Sequence, residues 1–379
     1  MIYFDNAATG GRKPDQVLTA VSSSIRVCAN PGRSGHKLSL SCANLVQTCR
    51  HALNDYLGGY GYERVAFTKN CTEALNIAIF GVLKQGDHVI ATCMEHNSVL
   101  RPLERLKKQG VISYDICPLR KTPKGLALDI EDIRSRLQPN TRAVMITTAS
   151  NVNGYIPPFD KIRAILPERV LLLCDGAQGC GHLEIKMKEC GIDLLAVAGH
   201  KGMLGIQGSG ALLFSERVDP APILYGGTGS MSLDLDMPDF FPDELEAGTL
   251  SYPAILSLLE GVRYLAVYEK RVRSRITSLT EYFLNGLLAL KAYEAYSEAN
   301  PCGIVAFAHR EMQSELIAQL LSSQYDIAVR SGLHCAPLMH EALGTQENGL
   351  VRVSFSHYNS EAEIDSLLIA LEALQTRNF

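Results

Sequence analysis

A chain of 379 residues, 46% hydrophobic and 20% charged, has the make-up of a folded globular protein, and its length suffices for about two or three domains. A net charge of −4 without a Lys/Arg-rich run argues against nucleic acid as a partner, since phosphate contacts supply most of that affinity. The opening MIYFDNAATG has no charged leader before a long apolar run, no stretch reaches about 18 uninterrupted apolar residues, and the eleven cysteines are scattered without a C-x-x-C pair. These features lead us to expect a cytoplasmic chain of reduced thiols with no membrane span, disulfide framework or structural zinc site.

Short apolar runs recur at Arg64–Thr68, His88–Thr92, Ala143–Thr147, Val170–Cys174 and Asp193–Ala198, each followed by a polar or glycine-bearing turn and a helical pattern. They are unbroken rather than alternating, as in parallel strands buried on both faces, so the expected fold is α/β with right-handed crossovers. From about Ser251 the pattern changes. A long helix over Ser251–Leu290 is followed by short strands near Gly303–Ala308, Ile327–Arg330 and Leu350–Phe355 and a last helix from Ser360 to Gln375, with Ser360 as its N-cap. The expected division is a large α/β domain over residues 15–250, joined by the N-terminal segment 1–14 to a small α+β domain over 251–379.

Several residues stand where chemistry concentrates. Lys69-Asn70-Cys71-Thr72 lies between a strand and a helix, where Thr72 and free N–H groups make a phosphate cradle; a plain capping turn is the alternative. His96 follows a buried run, placed to stack on a cofactor ring and relay protons or to sit satisfied in the core. Asp175 ends a parallel strand, pointing into the crevice where such sheets bind ligands; a carboxylate there can keep a pyridine nitrogen protonated, with Gln178 reaching the ring hydroxyl, or it can merely cap a helix. Lys201 sits in the glycine-rich run Gly199–Gly210 directly after a buried strand. Poor solvation there lowers a lysine pKa and makes it nucleophilic toward an aldehyde, and the glycines allow close approach of a bulky cofactor; an exposed lysine in a flexible turn is the plainer account.

Arg330-Ser331-Gly332-Leu333-His334-Cys335-Ala336-Pro337 puts a thiol in a Gly- and Pro-bounded loop beside cationic neighbours, a setting that favours thiolate. An ordinary cysteine, or a metal ligand together with His334 and His340, are the competing accounts. Arg352 lies inside the apolar run Leu350–Phe355 and needs an anion, either a substrate carboxylate or a structural acid.

Taken together and in order, these blocks resemble the class V aminotransferase family, specifically cysteine desulfurases of the SufS-like, short-loop type. The resemblance runs from Ile2–Thr9 through Asn30–His36, Met94–Ser98, Ser150–Val152, Asp175–Gln178, Gly199–Lys201 and Glu246–Thr249 to the Cys335 loop and the Arg352 strand. It implies a pyridoxal 5′-phosphate (PLP) transferase of fold type I. By the same resemblance Lys201 bonds the cofactor aldehyde, Asp175 meets the pyridine nitrogen, Gln178 the ring hydroxyl, and His96 stacks on the ring. Cys71, Thr72 and His200 hold the phosphate, with Thr249 reaching over from the second subunit of a homodimer. Arg352 and Asn151 grip the substrate carboxylate, Arg33 and Arg330 line the entrance, and Cys335 takes the sulfur as a persulfide.

The implied reaction converts L-cysteine to L-alanine, with Lys201 as base. Selenocysteine lyase on L-selenocysteine is the nearest alternative and a non-catalytic scaffold the more distant one. The sulfur acceptor, a carrier protein or a simple thiol, is not specified. The chain departs from the family's usual pattern at Ala198, where a hydroxyl to the phosphate is lost, and at Cys71, where the backbone N–H remains.

Overall fold

The apolar runs form strands buried on both faces. In the computed structural model, which describes residues 1–122 and 125–375, the first strands are β1 (Ile2–Tyr3), β2 (Val65–Thr68), β3 (Asp87–Thr92), β4 (Ile112–Cys117), β5 (Leu119–Thr122), β6 (Gly125–Leu128) and β7 (Thr141–Thr147). They are followed by β8 (Leu171–Asp175), β9 (Leu194–Ala198), β10 (Gly210–Phe214), β11 (Tyr293–Ala295), β12 (Ile304–His309), β13 (Ile327–Ala328) and β14 (Val351–Ser354). The helices up to the last strand of the main sheet are α1 (Asp15–Arg26), α2 (Lys37–Leu57), α3 (Cys71–Phe80), α4 (Asn97–Lys108), α5 (Ile130–Ser135), α6 (Phe159–Ile165) and α7 (Met187–Cys190). After it come α8 (Tyr252–Leu288), α9 (Ser314–Tyr325), α10 (Pro337–Leu343) and α11 (Glu361–Gln375).

The main sheet has seven strands in the order β2-β10-β9-β8-β7-β3-β4. Only β10 runs against its neighbours, β2 and β9; the other pairings are parallel. Alternate strand residues feed opposite cores, as the two-residue period of a strand requires. Val144, Ile146, Leu172, Leu195 and Val197 join one apolar cluster with Leu53 and Leu258. Ala143, Met145, Leu171, Leu173 and Ala196 join a second with Leu75, Val99 and Leu103 from α3 and α4.

A smaller antiparallel sheet, β11-β12-β14, packs with Leu279, Phe283, Ile317, Leu367 and Leu371 in a third cluster. Helix α8 belongs to both regions: Ile255 to Leu265 sit in the first core and Leu279 to Leu287 in the third. The N-terminal segment is tied to the C-terminal half, β1 pairing in parallel with β13 and Asp5 bridging to Ser354. The last helix starts as expected: Ser360 Oγ accepts from Glu363 N at 3.2 Å, and Glu363 Oε2 accepts from Ser360 N at 2.9 Å, a reciprocal capping box. Among the described residues no helix is long and apolar enough to cross a membrane.

Close packing fixes the turns that matter. A Cβ on Gly202 would come 2.4 Å from Cys180 O, and one on Gly199 would come 2.2 Å from Ser209 Oγ. Gly202 therefore makes room for the turn after Asp175, and Gly199 for Ser209 of its own loop.

Candidate active site

Parallel strands present their carboxyl ends along one edge of the sheet, and ligands bind there because the following loops splay apart. Here β2 leads to Asn70–Thr72, β3 to His96, β7 to Asn151, β8 ends on Asp175, and β9 leads to Lys201. One cavity is lined by Cys71, Thr72, His96, Asn151, Asp175, Gln178, His200 and Lys201, joined by Asn70, Ser98, Thr147, Ala177 and Ala198.

The cavity is electrically organised. Lys201 is held below its ordinary pKa, chiefly by burial, with the Asp175 carboxylate pulling the other way. Asp175 is buried and anchored: its Oδ1 accepts from Ala177 N at 2.9 Å and from the Cys71 thiol at 3.4 Å. That second bond gives Cys71 a side-chain role the sequence did not suggest, and burial beside Asp175 drives its thiol well above the ordinary value.

His96 caps α4, its Nδ1 accepting from Ser98 N at 3.1 Å. An Nδ1 so used leaves the proton of a neutral ring on Nε2. Burial lowers the His96 pKa, and it lowers that of His200 to about 4, with Lys201 and Lys13 adding to the effect there. Both rings are therefore neutral near pH 7. His200 Nδ1 lies 3.0 Å from Thr9 Oγ1, and Gln178 Nε2 donates to Ala7 O at 3.0 Å, so the N-terminal segment braces two of the lining side chains. At the start of α3, Asn70 Oδ1 accepts from Glu73 N at 2.9 Å; this cap aims the helix's first-turn N–H groups into the cavity.

Arg352 is 1% exposed. Its guanidinium donates to Asn151 O at 2.8 Å and to Asp5 Oδ1 at 2.9 Å, while its Nε is buried without a partner. Burial lowers its pKa to about 10, and Asp5 opposes this. The sequence left a substrate carboxylate and a structural acid as rival partners; Asp5 is a structural acid, and the orphaned Nε still offers a donor.

Cys335 is exposed and lines a second cavity that shares Thr72, His96 and Ser98 with the first. Arg330 reaches within 3.7 Å of its Sγ, and Cys335 O accepts from Asn97 N at 2.8 Å, beside His96. The thiol thus lines a cavity that adjoins the Lys201 cavity across Thr72, His96 and Ser98. Among the described residues, no group of three or more His, Cys, Asp or Glu is placed to hold a metal.

Arg33 and Thr249 are not brought to the cavity. Arg33 donates at 2.7 Å to both Gly227 O and Gly248 O, and Thr249 is exposed next to that contact.

Glu95, quoted in the sequence only as a neighbour of His96, is fully buried. Its Oε1 accepts from Thr92 Oγ1 at 2.6 Å and from Thr147 N at 3.0 Å, and its Oε2 has no partner. Burial pushes its carboxyl up to about 8 from an ordinary 4.5. The folded pKa exceeds the unfolded one, so the contribution of neutral Glu95 to stability is fully present below about pH 4.5 and gone once pH has risen through about 8. Thermal unfolding of the parent and of Glu95→Gln followed across this window is expected to show the parent losing Tm relative to the variant as pH rises; a difference that stays constant with pH would refute it.

The family profile of aminotransferase class V matches residues 2–367. The chain belongs to this family. A probable cysteine desulfurase from Methanothermobacter thermautotrophicus is 31% identical over 98% of this chain and 94% of its own length. Among solved structures, the apo cysteine desulfurase from Thermococcus onnurineus NA1 is 30% identical with a TM-score of 0.88, covering 98% of this chain and 94% of that one. Cysteine desulfurase CsdA from Escherichia coli, in its S-sulfonic acid form, is 25% identical with a TM-score of 0.87 over 98% and 94%.

Class V aminotransferases are PLP enzymes of fold type I, and the mostly parallel sheet with its smaller C-terminal sheet follows that plan. The cavity suits the cofactor: an amine with a lowered pKa, a fixed buried carboxylate, a neutral imidazole and a helix N-terminus surround one space. Ala198 lines it without a hydroxyl, so one phosphate hydrogen bond, worth roughly 0.5–3 kcal/mol, has no donor at that position.

Proposed function

We propose that this chain is a PLP-dependent cysteine desulfurase in which Lys201 is the base and Cys335 receives the sulfur. The observation that carries the reading is the exposed Cys335 thiol in a cavity that shares Thr72, His96 and Ser98 with the cavity of Lys201. The relatives named as cysteine desulfurases support it.

Thr72, His200 and the first turn of α3 would hold the phosphate, Asp175 would keep a proton on the pyridine nitrogen, Gln178 would serve the ring hydroxyl, and His96 would serve the ring. When bound, PLP supplies the electron sink that stabilises negative charge at the substrate Cα. Burial leaves the Lys201 amine more readily neutral than an exposed lysine, and the neutral amine takes the Cα proton. Asn151, which lines the Lys201 cavity, and Arg352, which lies behind it on Asn151 O and lines neither cavity, are the pair the family resemblance assigns to the substrate carboxylate.

Arg330 sets a positive charge beside the Cys335 sulfur. That sulfur attacks the substrate sulfur, an S–S bond forms, and the Cβ–S bond breaks with its electron pair going to carbon. The sum is L-cysteine plus the Cys335 thiol giving L-alanine plus the Cys335 persulfide.

Selenocysteine lyase is the rival reading of the same geometry; the relatives, named for cysteine, favour the desulfurase. The exposed Thr249, outside the cavity of its own chain, supports a homodimer in which each copy completes the other's phosphate site. The fully exposed Leu233 and Leu235 support the same arrangement, as apolar side chains to be covered. The sulfur then passes to an acceptor thiol at the exposed loop, in the cytoplasm. Mass spectrometry after treatment with L-cysteine tests the reading. The expected result is one added sulfur on the Cys335 peptide with release of alanine; alanine release with the added sulfur on another cysteine would overturn it.

A further inference from the structure

We propose that His340 is a positioning residue for Cys335, acting through the ring of His334 to hold the sulfur-bearing loop in its working shape. The inference rests on Cys335 being the sulfur acceptor.

The loop is strained. His334 and Cys335 have φ of 50° and 57°, two successive non-glycine residues in the left-handed region. Each such residue costs about 1–3 kcal/mol and persists only where its surroundings over-determine it. The strain has a visible consequence: the His334 side chain is turned into the protein, 2% exposed, while the next side chain, Cys335, is turned out.

His334 is therefore the anchor on which the thiol stands, and the anchor is held from behind. His334 Nδ1 lies 3.3 Å from His340 Nε2, the rings stack with 24° between their planes, and His340 Nδ1 lies 2.9 Å from Thr345 Oγ1. His340 is completely buried and Thr345 nearly so. Burial lowers the pKa of both imidazoles, His334 to about 2, so both are neutral. Two neutral rings in one row, joined by one hydrogen bond, must take matching tautomers, one ring nitrogen giving the proton and the other accepting it, and Nδ1 is the His334 nitrogen engaged. Such a row holds the His334 ring in place by direction as well as by volume.

The row also connects to the rest of the site. His334 O accepts from Asn151 Nδ2 at 2.6 Å, and Asn151 O accepts from Arg352 at 2.8 Å. One network thus runs from Thr345 to the Cys335 loop and on through Asn151 to Arg352. Helix α10 is what makes this possible, because its His340 folds back beneath the loop just before it.

The test compares His340→Phe, which fills the space without hydrogen bonding, with His340→Gln, which retains a donor and an acceptor. In the holoenzyme, His340→Phe is expected to slow single-turnover persulfide formation about 100-fold, the cost of a displacement near 1 Å at a reacting atom. KM for cysteine is expected to stay within about threefold, because Arg352 is also held by Asp5. Alkylation of Cys335 by iodoacetamide, read by mass spectrometry without substrate, should slow as well. His340→Gln should recover persulfide formation to within about tenfold of the parent.

Persulfide formation at the parent rate in His340→Phe, or a Gln variant no better than Phe, would overturn the proposal. Should His340→Phe fail to fold, Thr345→Val, which keeps both rings, must still slow persulfide formation for the proposal to stand. If the parent protein itself puts no sulfur on Cys335, the desulfurase reading fails; the alkylation comparison still decides whether His340 positions the thiol.

Discussion

Lys201→Ala is expected to reduce alanine release from L-cysteine by at least about 10⁴-fold, the upper range for loss of a positioned acid–base group, and to weaken cofactor retention besides. The loss is this large because, among the described residues lining the cavity, no other carries an amine. Lys13, an amine close by, has a pKa lowered by burial to about 8, but its Nζ is spent on His200 O at 2.8 Å and it is not among the residues lining the cavity. Added methylamine should restore part of the rate in Lys201→Ala, since a small amine fits the vacated space and can take the Cα proton. Alanine production measured with and without amine, beside the absorbance of the bound cofactor, checks this. A variant retaining more than about a tenth of the parent rate would show that the proton at Cα is moved by another group.

Most strands buried on both faces were legible, while an exposed edge strand and a strand masked by its neighbouring turn were not. The five unbroken apolar runs correspond to β2, β3, β7, β8 and β9, with ends shifted by a residue or two. Strand β4 escaped because it is the edge of the sheet: between buried Ile112 and Cys117 its residues are exposed or half-buried, so its sequence carries no continuous apolar run. Strand β10 follows the glycine-rich turn immediately, and its own Gly210 reads as the end of that turn; only its antiparallel register with β9, Gly210 opposite Ala198, reveals it.

The site divides in a similar way. Side chains at strand ends, such as Asp175 and Lys201, can be read locally because strand direction fixes where they point. Arg352 could be seen to need an anion, but its partner Asp5 lies 347 positions away and is delivered by the N-terminal segment, which no local pattern encodes. Glu95 was hidden for a different reason. A buried carboxyl that is neutral looks in sequence like any surface acid, and only its enclosure by Thr92 and Thr147 distinguishes it.

Cys335→Ala should abolish persulfide formation and lower alanine release from L-cysteine by at least about 10³-fold, as removal of a covalent nucleophile does. Binding should survive, because the groups proposed for the substrate carboxylate and the cofactor are untouched; the cofactor spectrum should still respond to L-cysteine at concentrations within about threefold of the parent's.

The competing nucleophile to consider is Cys71, which lines the Lys201 cavity itself. It is disqualified electrically. Its S–H is committed to Asp175, and burial beside that carboxylate drives its pKa well above the ordinary thiol value, so it stays protonated where a thiolate is needed. The same variant separates the two substrates. A sulfur bonded to Cβ needs a second sulfur to accept it, whereas selenium is the better leaving group and can depart without one. Loss of turnover on both L-cysteine and L-selenocysteine in Cys335→Ala marks a desulfurase whose thiol is obligatory. Turnover of selenocysteine that persists while that of cysteine vanishes would identify selenium release as a reaction this site performs without Cys335, and would move the assignment toward a lyase.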